Sequence, residues 1–326
     1  MRITQSEIAK RAGVSQVTVS QVLNRSRNMR ISADKRQEII MLAETLNYQP
    51  RNLTTHTIGY VMRVTDNEGE VYTLNQMKSL FSEQGYRLLL IDIDELTPAR
   101  LSQSLTSKTV DGIIFTIWPS PQIIKRLPVE VPYVVVAEAE GIGQEVDQVI
   151  TDSFQSSRLM TRYLLDKGHR RICFLTGETV TVHHSNFKRG FYQAYEDKGI
   201  ACDIASLIET SFTYNLEPHL EYEMQKSEPP TAFLGLTFNR VAKTINFLQQ
   251  HGYRLPQDIS IASVYDSFNY RWLRPFITTS SAGTGEVAQQ AATLLLNKIK
   301  NPDLLPEHLI LQSHLIERDS VLEIKN

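Results

Sequence analysis

From Ile58 onward the chain alternates short apolar runs with longer segments of helical periodicity, and this alternation constrains the fold more than any other feature. The first apolar series is Ile58-Gly59-Tyr60-Val61-Met62, Arg87 to Ile93, Gly112 to Ile117 and Tyr133 to Val136. A second series follows at Arg171 to Leu175, Ala232 to Gly235 and Ile259 to Val264. A strand without a polar face must be covered on both sides, and strands that return through helices run parallel. Both series therefore predict parallel sheets sandwiched between helices. The order of the strands is not given by the pattern. Open sheets of this kind bind ligands in the crevice beyond the carboxyl ends of their strands.

The first fifty residues follow a different rhythm. Thr4-Gln5-Ser6-Glu7 reads as a capping box, with the Thr hydroxyl and Glu carboxylate satisfying the first free amides of a helix that runs to about Ala12. Gly13 suits the left-handed residue that ends it. Ser15 can cap a second helix, Gln16 to about Asn24, in which Val19, Val22 and Leu23 face inward while Gln16, Val17, Ser20 and Gln21 share the outer side. A third helix begins after Ser32, carries Ile39, Leu42, Ala43 and Leu46 on one stripe, and ends near Asn47. Two short helices joined through Ala12-Gly13-Val14-Ser15 and braced by a third form a helix-turn-helix. The outer face of the second helix can reach base edges in a major groove, and Ser15, Thr18 and Ser20 are small hydroxyls suited to phosphates.

Charge divides the chain in the same place. Residues 1–56 hold nine Lys/Arg and four Asp/Glu, a net of +5, and the remainder carries −7, within a total of −2. A basic head on an acidic body suits a polyanionic partner for the head alone. The opening MRITQSEIAK lacks the apolar stretch of a signal peptide. No apolar run reaches the roughly 18 residues of a membrane span. Cys173 and Cys202 make neither a disulfide framework nor a metal spacing. The expectation is a cytoplasmic protein with reduced cysteines.

The run Ile8-Ala9-Lys10-Arg11-Ala12-Gly13-Val14-Ser15-Gln16-Val17-Thr18-Val19-Ser20-Gln21-Val22-Leu23-Asn24 closely resembles the opening of the lactose-repressor (LacI–GalR) family. Leu46-Asn47-Tyr48-Gln49-Pro50, Gly168-His169-Arg170-Arg171-Ile172, Asp258-Ile259-Ser260 and Ile316-Glu317-Arg318-Asp319-Ser320 resemble the family too, so the likeness spans nearly the whole chain. It implies an N-terminal three-helix helix-turn-helix domain (1–50), a linker (51–57), and a periplasmic-binding-protein-like α/β core of two parallel-sheet subdomains (58–326). The subdomains are then joined by three crossovers, near Thr151, Thr279 and Pro302, with an effector cleft between them. In family members the residues matching Gln16, Val17 and Gln21 read bases. The candidate DNA-contacting set is Thr4, Gln5, Ser15, Gln16, Val17, Thr18, Ser20, Gln21, Asn24, Arg25 and Leu53.

Several positions depart from the family pattern. Only Arg51 to Thr57 separate Pro50 from Ile58, where the family places about fourteen to sixteen residues that form a hinge helix and wedge the minor groove. Leu53 is the one apolar candidate left for that wedge. The loop Arg25-Ser26-Arg27-Asn28-Met29-Arg30 is longer and more basic than usual. In the cleft, Phe187 stands where the family has its ligand-clamping Arg, three residues before Gly190-Phe191. Thr237 and Phe238 replace the Asn-Asp pair, and Tyr265-Asp266 replaces two successive aspartates. The effector set carried over is Arg63, Tyr72, Trp118, Asp152, Phe187, Phe212, Thr237, Tyr265 and Asp266. The losses remove the bidentate groups that hold sugar hydroxyls. A flat or apolar ligand with an acidic group, facing Arg63, is expected rather than a plain neutral hexose. The competing expectation for Phe187 and Phe238 is that each packs the interface between the subdomains.

Catalytic motifs are missing. There is no Gly-x-Ser-x-Gly elbow and no phosphate-binding loop ending in Lys-Ser/Thr, and Gly141-Ile142-Gly143 reads as a loop. His183-His184 has no carboxylate or cysteine at ligand spacing and reads as a surface loop pair, so neither metal nor cofactor is expected. The leading expectation is a homodimeric DNA-binding regulator, a repressor, tuned by a small effector. One rival is a DNA-binding regulator whose core serves only dimerisation. Another is a transport-type sugar-binding protein, which the basic head disfavours, and a sugar-modifying enzyme comes last. No heptads follow Ile316, so a coiled-coil tetramer is not indicated.

Overall fold

The computed structural model describes residues 4–23, 31–46, 48, 54–63, 68–94, 97–128, 131–138, 146–177, 182–202, 207–210 and 215–324. The chain separates into two compact units, Met1–Thr55 and His56–Asn326.

The first unit is three helices: α1 (Gln5–Ala12), α2 (Gln16–Leu23) and α3 (Ala33–Thr45). Thr4 caps α1 by accepting from the Glu7 amide. The return half of the expected capping box is replaced, because the Glu7 carboxylate pairs with Arg11 at 2.9 Å. Gly13 ends α1 at φ 65°, a left-handed conformation that costs a residue with a Cβ, and the Val14 amide closes back on the Ala9 carbonyl. Ser32 caps α3. The inward faces meet in one small core of Ile8, Ala9, Ala12, Val19, Val22, Ile39 and Ala43, with Leu23, Leu42 and Leu46 packed around it.

The second unit holds two six-stranded sheets. Sheet one runs β11-β5-β4-β3-β1-β2, from β1 (Thr57–Met62), β2 (Arg87–Asp92), β3 (Gly112–Phe115), β4 (Tyr133–Val135), β5 (Asp147–Thr151) and β11 (His308–Leu311), all parallel. Sheet two runs β12-β10-β9-β8-β6-β7, from β6 (Ile172–Thr176), β7 (Leu207–Glu209), β8 (Ala232–Gly235), β9 (Ser260–Ser263), β10 (Thr278–Ser281) and β12 (His314–Ile316). Only β12 is antiparallel among its pairings.

Each sheet separates two cores, as strands buried on both faces require. In the first subdomain, alternate residues Ile58, Tyr60 and Met62 of β1 face α4 (Glu68–Glu83) and α11 (Thr284–Lys300), while Val61 joins Leu101, Leu105 and Ile123 on the side of α5 (Pro98–Ser104) and α6 (Pro121–Ile124). In the second, Ile172 and Phe174 pack on α7 (Ser153–Asp166) and α8 (Val182–Asp197), and Cys173 and Leu175 pack on α9 (Glu217–Met224) and α10 (Phe238–Gln250). Helices α7 and α8 approach closely because Gly190 has no side chain; a Cβ there would lie 2.2 Å from the Phe154 carbonyl oxygen.

Five of the twelve strands among the described residues, β5, β7, β10, β11 and β12, lie outside the runs that predict strands. β10 shows why. Its Thr278, Thr279 and Ser280 are fully buried, and hydroxyl bonds to the Arg318 carbonyl, the Asp266 carboxylate and the Val264 carbonyl satisfy them. The three crossovers fall at Asp152, between β10 and α11, and at Gln312-Ser313 between β11 and β12. The third is not near Pro302, which lies between α11 and β11, both in the first subdomain. Gln155 and Ser313 fasten it to α7 through bonds of 3.0 Å from each side.

Candidate DNA-reading helix and effector cleft

On α2, Val19 and Val22 are sealed into the core while Gln16, Val17 and Gln21 are exposed, Val17 at 66%. An apolar side chain that open, on a helix whose other face is packed, is available for contact. Ser15 and Thr18 are more committed than expected. The Ser15 hydroxyl accepts from the Thr18 amide at 3.1 Å and bonds the Thr18 hydroxyl at 2.8 Å, so both serve the helix cap before any phosphate. Thr4 is the exposed cap of α1, and Gln5 and Ser20 lie within α1 and α2. Asn24, Arg25, the rest of the basic loop and Leu53 lie outside the described residues, as do Phe212 and Gly141 to Gly143.

The cleft is bounded by the carboxyl ends of both sheets. Phe187 has no accessible surface: it sits in the core between α8 and the sheet, edge-on to His183 at 4.6 Å and to Tyr265 at 5.3 Å. Phe238 likewise packs inward, 5.5 Å from the Tyr270 ring. Arg63 is no free cation, because it forks onto the Asp94 carboxylate at 2.5 and 3.2 Å. That hydrogen bond raises its pKa. Asp266 is held by both guanidinium arms of Arg318 at 3.0 and 3.1 Å. Asp152 caps α7, accepting from the Gln155 amide at 2.9 Å, and also accepts from Gln312 of the third crossover at 3.2 Å.

Tyr72 and Trp118 are half-buried, Trp118 against the α5–α6 core and Tyr72 stacked 6.3 Å from Phe268, across the two subdomains. The Tyr265 hydroxyl hydrogen-bonds His183 Nε2 at 3.1 Å, and burial pushes its phenol well above the ordinary range. Thr237 precedes α10 without capping it. Its hydroxyl and that of Thr176, at the ends of neighbouring strands β8 and β6, are buried with no hydrogen-bond partner among the described residues. An open cavity of about 550 Å³ lies beside Phe268, Arg271, Phe276 and Arg318; among the described effector residues expected, Asp266 lines it.

Sequence reasoning missed the group that occupies the hinge side of the cleft. Glu138, just past β4, reaches the second subdomain. Its Oε1 accepts from the Ser153 amide at 3.1 Å, and its Oε2 accepts from Asn186 Nδ2 at 3.1 Å and lies 3.5 Å from His183 Nδ1. The Ser153 hydroxyl bonds the same Nδ1 at 2.8 Å. Burial alone would raise the Glu138 pKa, but the bond to His183, its charge and the Ser153 donors together lower it. His183 and His184 are therefore no surface loop pair: they form part of the first turn of α8. His184, half-buried beside Gly177, is held down to about 4 by desolvation and by the neighbouring charges of His183 and Arg240. Arg240 was also not anticipated; it is buried on α10 and donates to the Thr210 hydroxyl and carbonyl at 2.7 and 2.6 Å. No local spacing could have found these residues, since Glu138 and Asn186 are 48 positions apart.

A three-helix head followed by a core of two sheets of mostly parallel strands alternating with helices is the architecture of a DNA-binding regulator with a ligand-binding type of core. Residues 4–51 match bacterial regulatory proteins of the lacI family, and residues 161–321 match the periplasmic binding protein-like domain. The chain belongs to the LacI family of transcriptional regulators. It is 26% identical over 338 residues to the HTH-type transcriptional repressor PurR of Mannheimia succiniciproducens, covering 98% of this chain and 99% of that protein. It is 28% identical over 333 residues to the ribose operon repressor of Haemophilus influenzae, covering 99% of each. The solved transcriptional regulator CelR–cellobiose complex shares the fold at a TM-score of 0.71 and 24% identity, over 98% of this chain and 100% of that one. Among the described residues, no helix is long and apolar enough to cross a membrane.

Proposed function

We propose that this protein is a sequence-specific transcriptional repressor that acts in the cytoplasm as a homodimer, with operator affinity set by a small molecule held between the two subdomains. The observation that carries the reading is the exposed row Gln16, Val17 and Gln21 on a helix anchored by Val19 and Val22. Gln can make bidentate bonds to adenine, and an exposed Val can meet a thymine methyl. The relatives named above are repressors. Selection of duplexes from a random pool tests the reading. Enrichment of one palindromic motif is expected, and binding that stays indifferent to sequence would overturn it. Homodimerisation is supported by the exposed Leu89 and Leu90 on edge strand β2 and by Trp272, and sedimentation should give twice the chain mass.

The buried, unpartnered hydroxyls of Thr176 and Thr237 support an effector, since such atoms cost about 1–3 kcal/mol each until something bonds them. With Phe187 in the core and Arg63 tied to Asp94, neither of these two positions offers the cleft a hexose clamp or a free cation, and a plain neutral hexose is a poor fit. Calorimetry against neutral hexoses, uronic acids, nucleobases and aromatic acids decides, and micromolar binding of a neutral hexose would overturn that exclusion. A second reading, in which the core serves only dimerisation, draws support from the cleft network around Glu138, whose polar groups already satisfy one another. Operator binding that no member of the panel alters favours it.

A further inference from the structure

Glu138 lies in the first subdomain, and the donors on its carboxylate lie at the crossover and in the second. Ser153 is the first residue of α7, so its amide is one of the helix's free N-terminal donors. Asp152 already caps that helix, so Glu138 is a second anion at the same end. Asn186 and His183 approach from α8. The imidazole is fixed in place by Ser153 Oγ at one nitrogen, Tyr265 Oη at the other, and a T-shaped contact with the Phe187 ring. The Glu138 side chain is 7% exposed, so the carboxylate has left water for these partners.

We infer that the second subdomain carries a carboxylate-binding subsite, built from the Ser153 amide, Asn186 and His183, and that this chain fills it in cis with Glu138. The cleft is thereby closed on the protein's own anion. The inference concerns the cleft assigned above to an effector, but it requires neither an operator nor an effector to be known. An external ligand that uses the first turn of α8 has to compete with Glu138. A small carboxylate is the ligand class that fits once Glu138 is removed, because Glu138→Ala deletes the equivalent of acetate beyond Cβ.

The test is hydrogen exchange on the full-length protein, wild type and E138A, with millimolar sodium acetate or with sodium chloride at the same ionic strength. In E138A the segments containing Ser153 and His183 to Asn186 should exchange about tenfold faster, as expected for loss of a buried charge-assisted bond. Acetate should restore the protection and chloride should not, while α2 exchanges alike in every condition. Unchanged exchange in E138A, or equal effects of the two salts, would overturn the inference. Should E138A fail to fold, E138Q keeps the side-chain volume but turns an amide donor toward other donors. The first turn of α8 should then lose protection without any response to acetate, and wild-type protection in E138Q would equally sink the proposal. Neither readout involves DNA, so failure here leaves the operator reading standing.

Discussion

On α2 the side chains offered to a partner are exposed and facing solvent, whereas in the cleft Glu138, His183, Asn186, Tyr265 and Asp266 each already bond to another part of the chain. Binding at α2 therefore exchanges water for a partner. Binding in the cleft must first break protein–protein hydrogen bonds, and the ligand gains only the difference. The contrast teaches that the residue types suited to a ligand do not by themselves mark an open site.

The largest effect belongs to Phe187. If it is interior, as its burial against His183 and Tyr265 indicates, Phe187→Ala should cost about 3–5 kcal/mol of core stability whether or not an effector is present. Denaturant unfolding followed by tryptophan fluorescence reads this cleanly, because both tryptophans, Trp118 and Trp272, lie in the core unit. A variant with wild-type stability and altered effector response would return Phe187 to the list of contacts.

The next effect separates the units by pH. All eight histidines lie beyond residue 55. His169 is 2% exposed, bonded to the Thr231 hydroxyl and the Leu322 carbonyl, and burial holds it down to about 4. Its unfolded value is about 6.5, so as pH falls the unfolded chain takes the proton first. Stability present above about 6.5 is then lost progressively toward 4, by about 3 kcal/mol for this group. His184 acts in the same direction. The Glu138 carboxylate, lowered in the fold, adds a further loss at more acid pH. The histidine-free head should not weaken in the upper part of this window. Core stability that stays flat between pH 6.5 and 5, at constant ionic strength, would contradict the assignment of His169 as buried and neutral.

Gln21→Ala follows, with an expected loss of about 1–3 kcal/mol on the preferred duplex and almost none on a scrambled one. Competition titration measures both. Equal losses would place Gln21 on phosphate, or on nothing, and would erase the base-reading half of the comparison.

How much could be read in advance follows the same division. The head was legible because its determinants are local: Thr4, Gly13, Ser15 and Ser32 each act within a few residues, and the stripe Val19, Val22 and Leu23 orients α2. The parallel sheets were legible from apolar runs, except where strands such as β10 bury hydroxyls instead of hydrocarbon. The cleft was not legible. Its network joins residues from β4, α7, α8 and the end of β9, brought together only by topology, and sequence gave no reason to pair Glu138 with His183. Phe187 and Asp266 matched family positions, but the substitutions around them changed what those positions do.

The smallest effect concerns the linker, and it extends the comparison to the chain between the two units. The core takes hold of the backbone at His56. Its amide donates to Asp111 Oδ2 at 2.9 Å, its carbonyl accepts from the Arg87 amide at 2.9 Å, and its φ of 49° sets a sharp local turn. Thr57 is then bonded by Arg87 Nε at 2.9 Å and enters β1. Between Pro50 and that anchor only Arg51 to Thr55 remain. Five residues span at most about 18 Å extended and about 8 Å as helix, less than the length at which an isolated helix nucleates readily. On length alone, a minor-groove wedge carried by Leu53 on a hinge helix is not expected. Leu53→Ala should change operator affinity by less than about 0.5 kcal/mol, and circular-permutation gel shifts should show little bending in either protein. A pronounced bend that disappears in L53A would show that DNA induces a hinge in this short segment. The linker would then belong with the cleft, as a part of the protein whose function depends on giving up the contacts it makes alone.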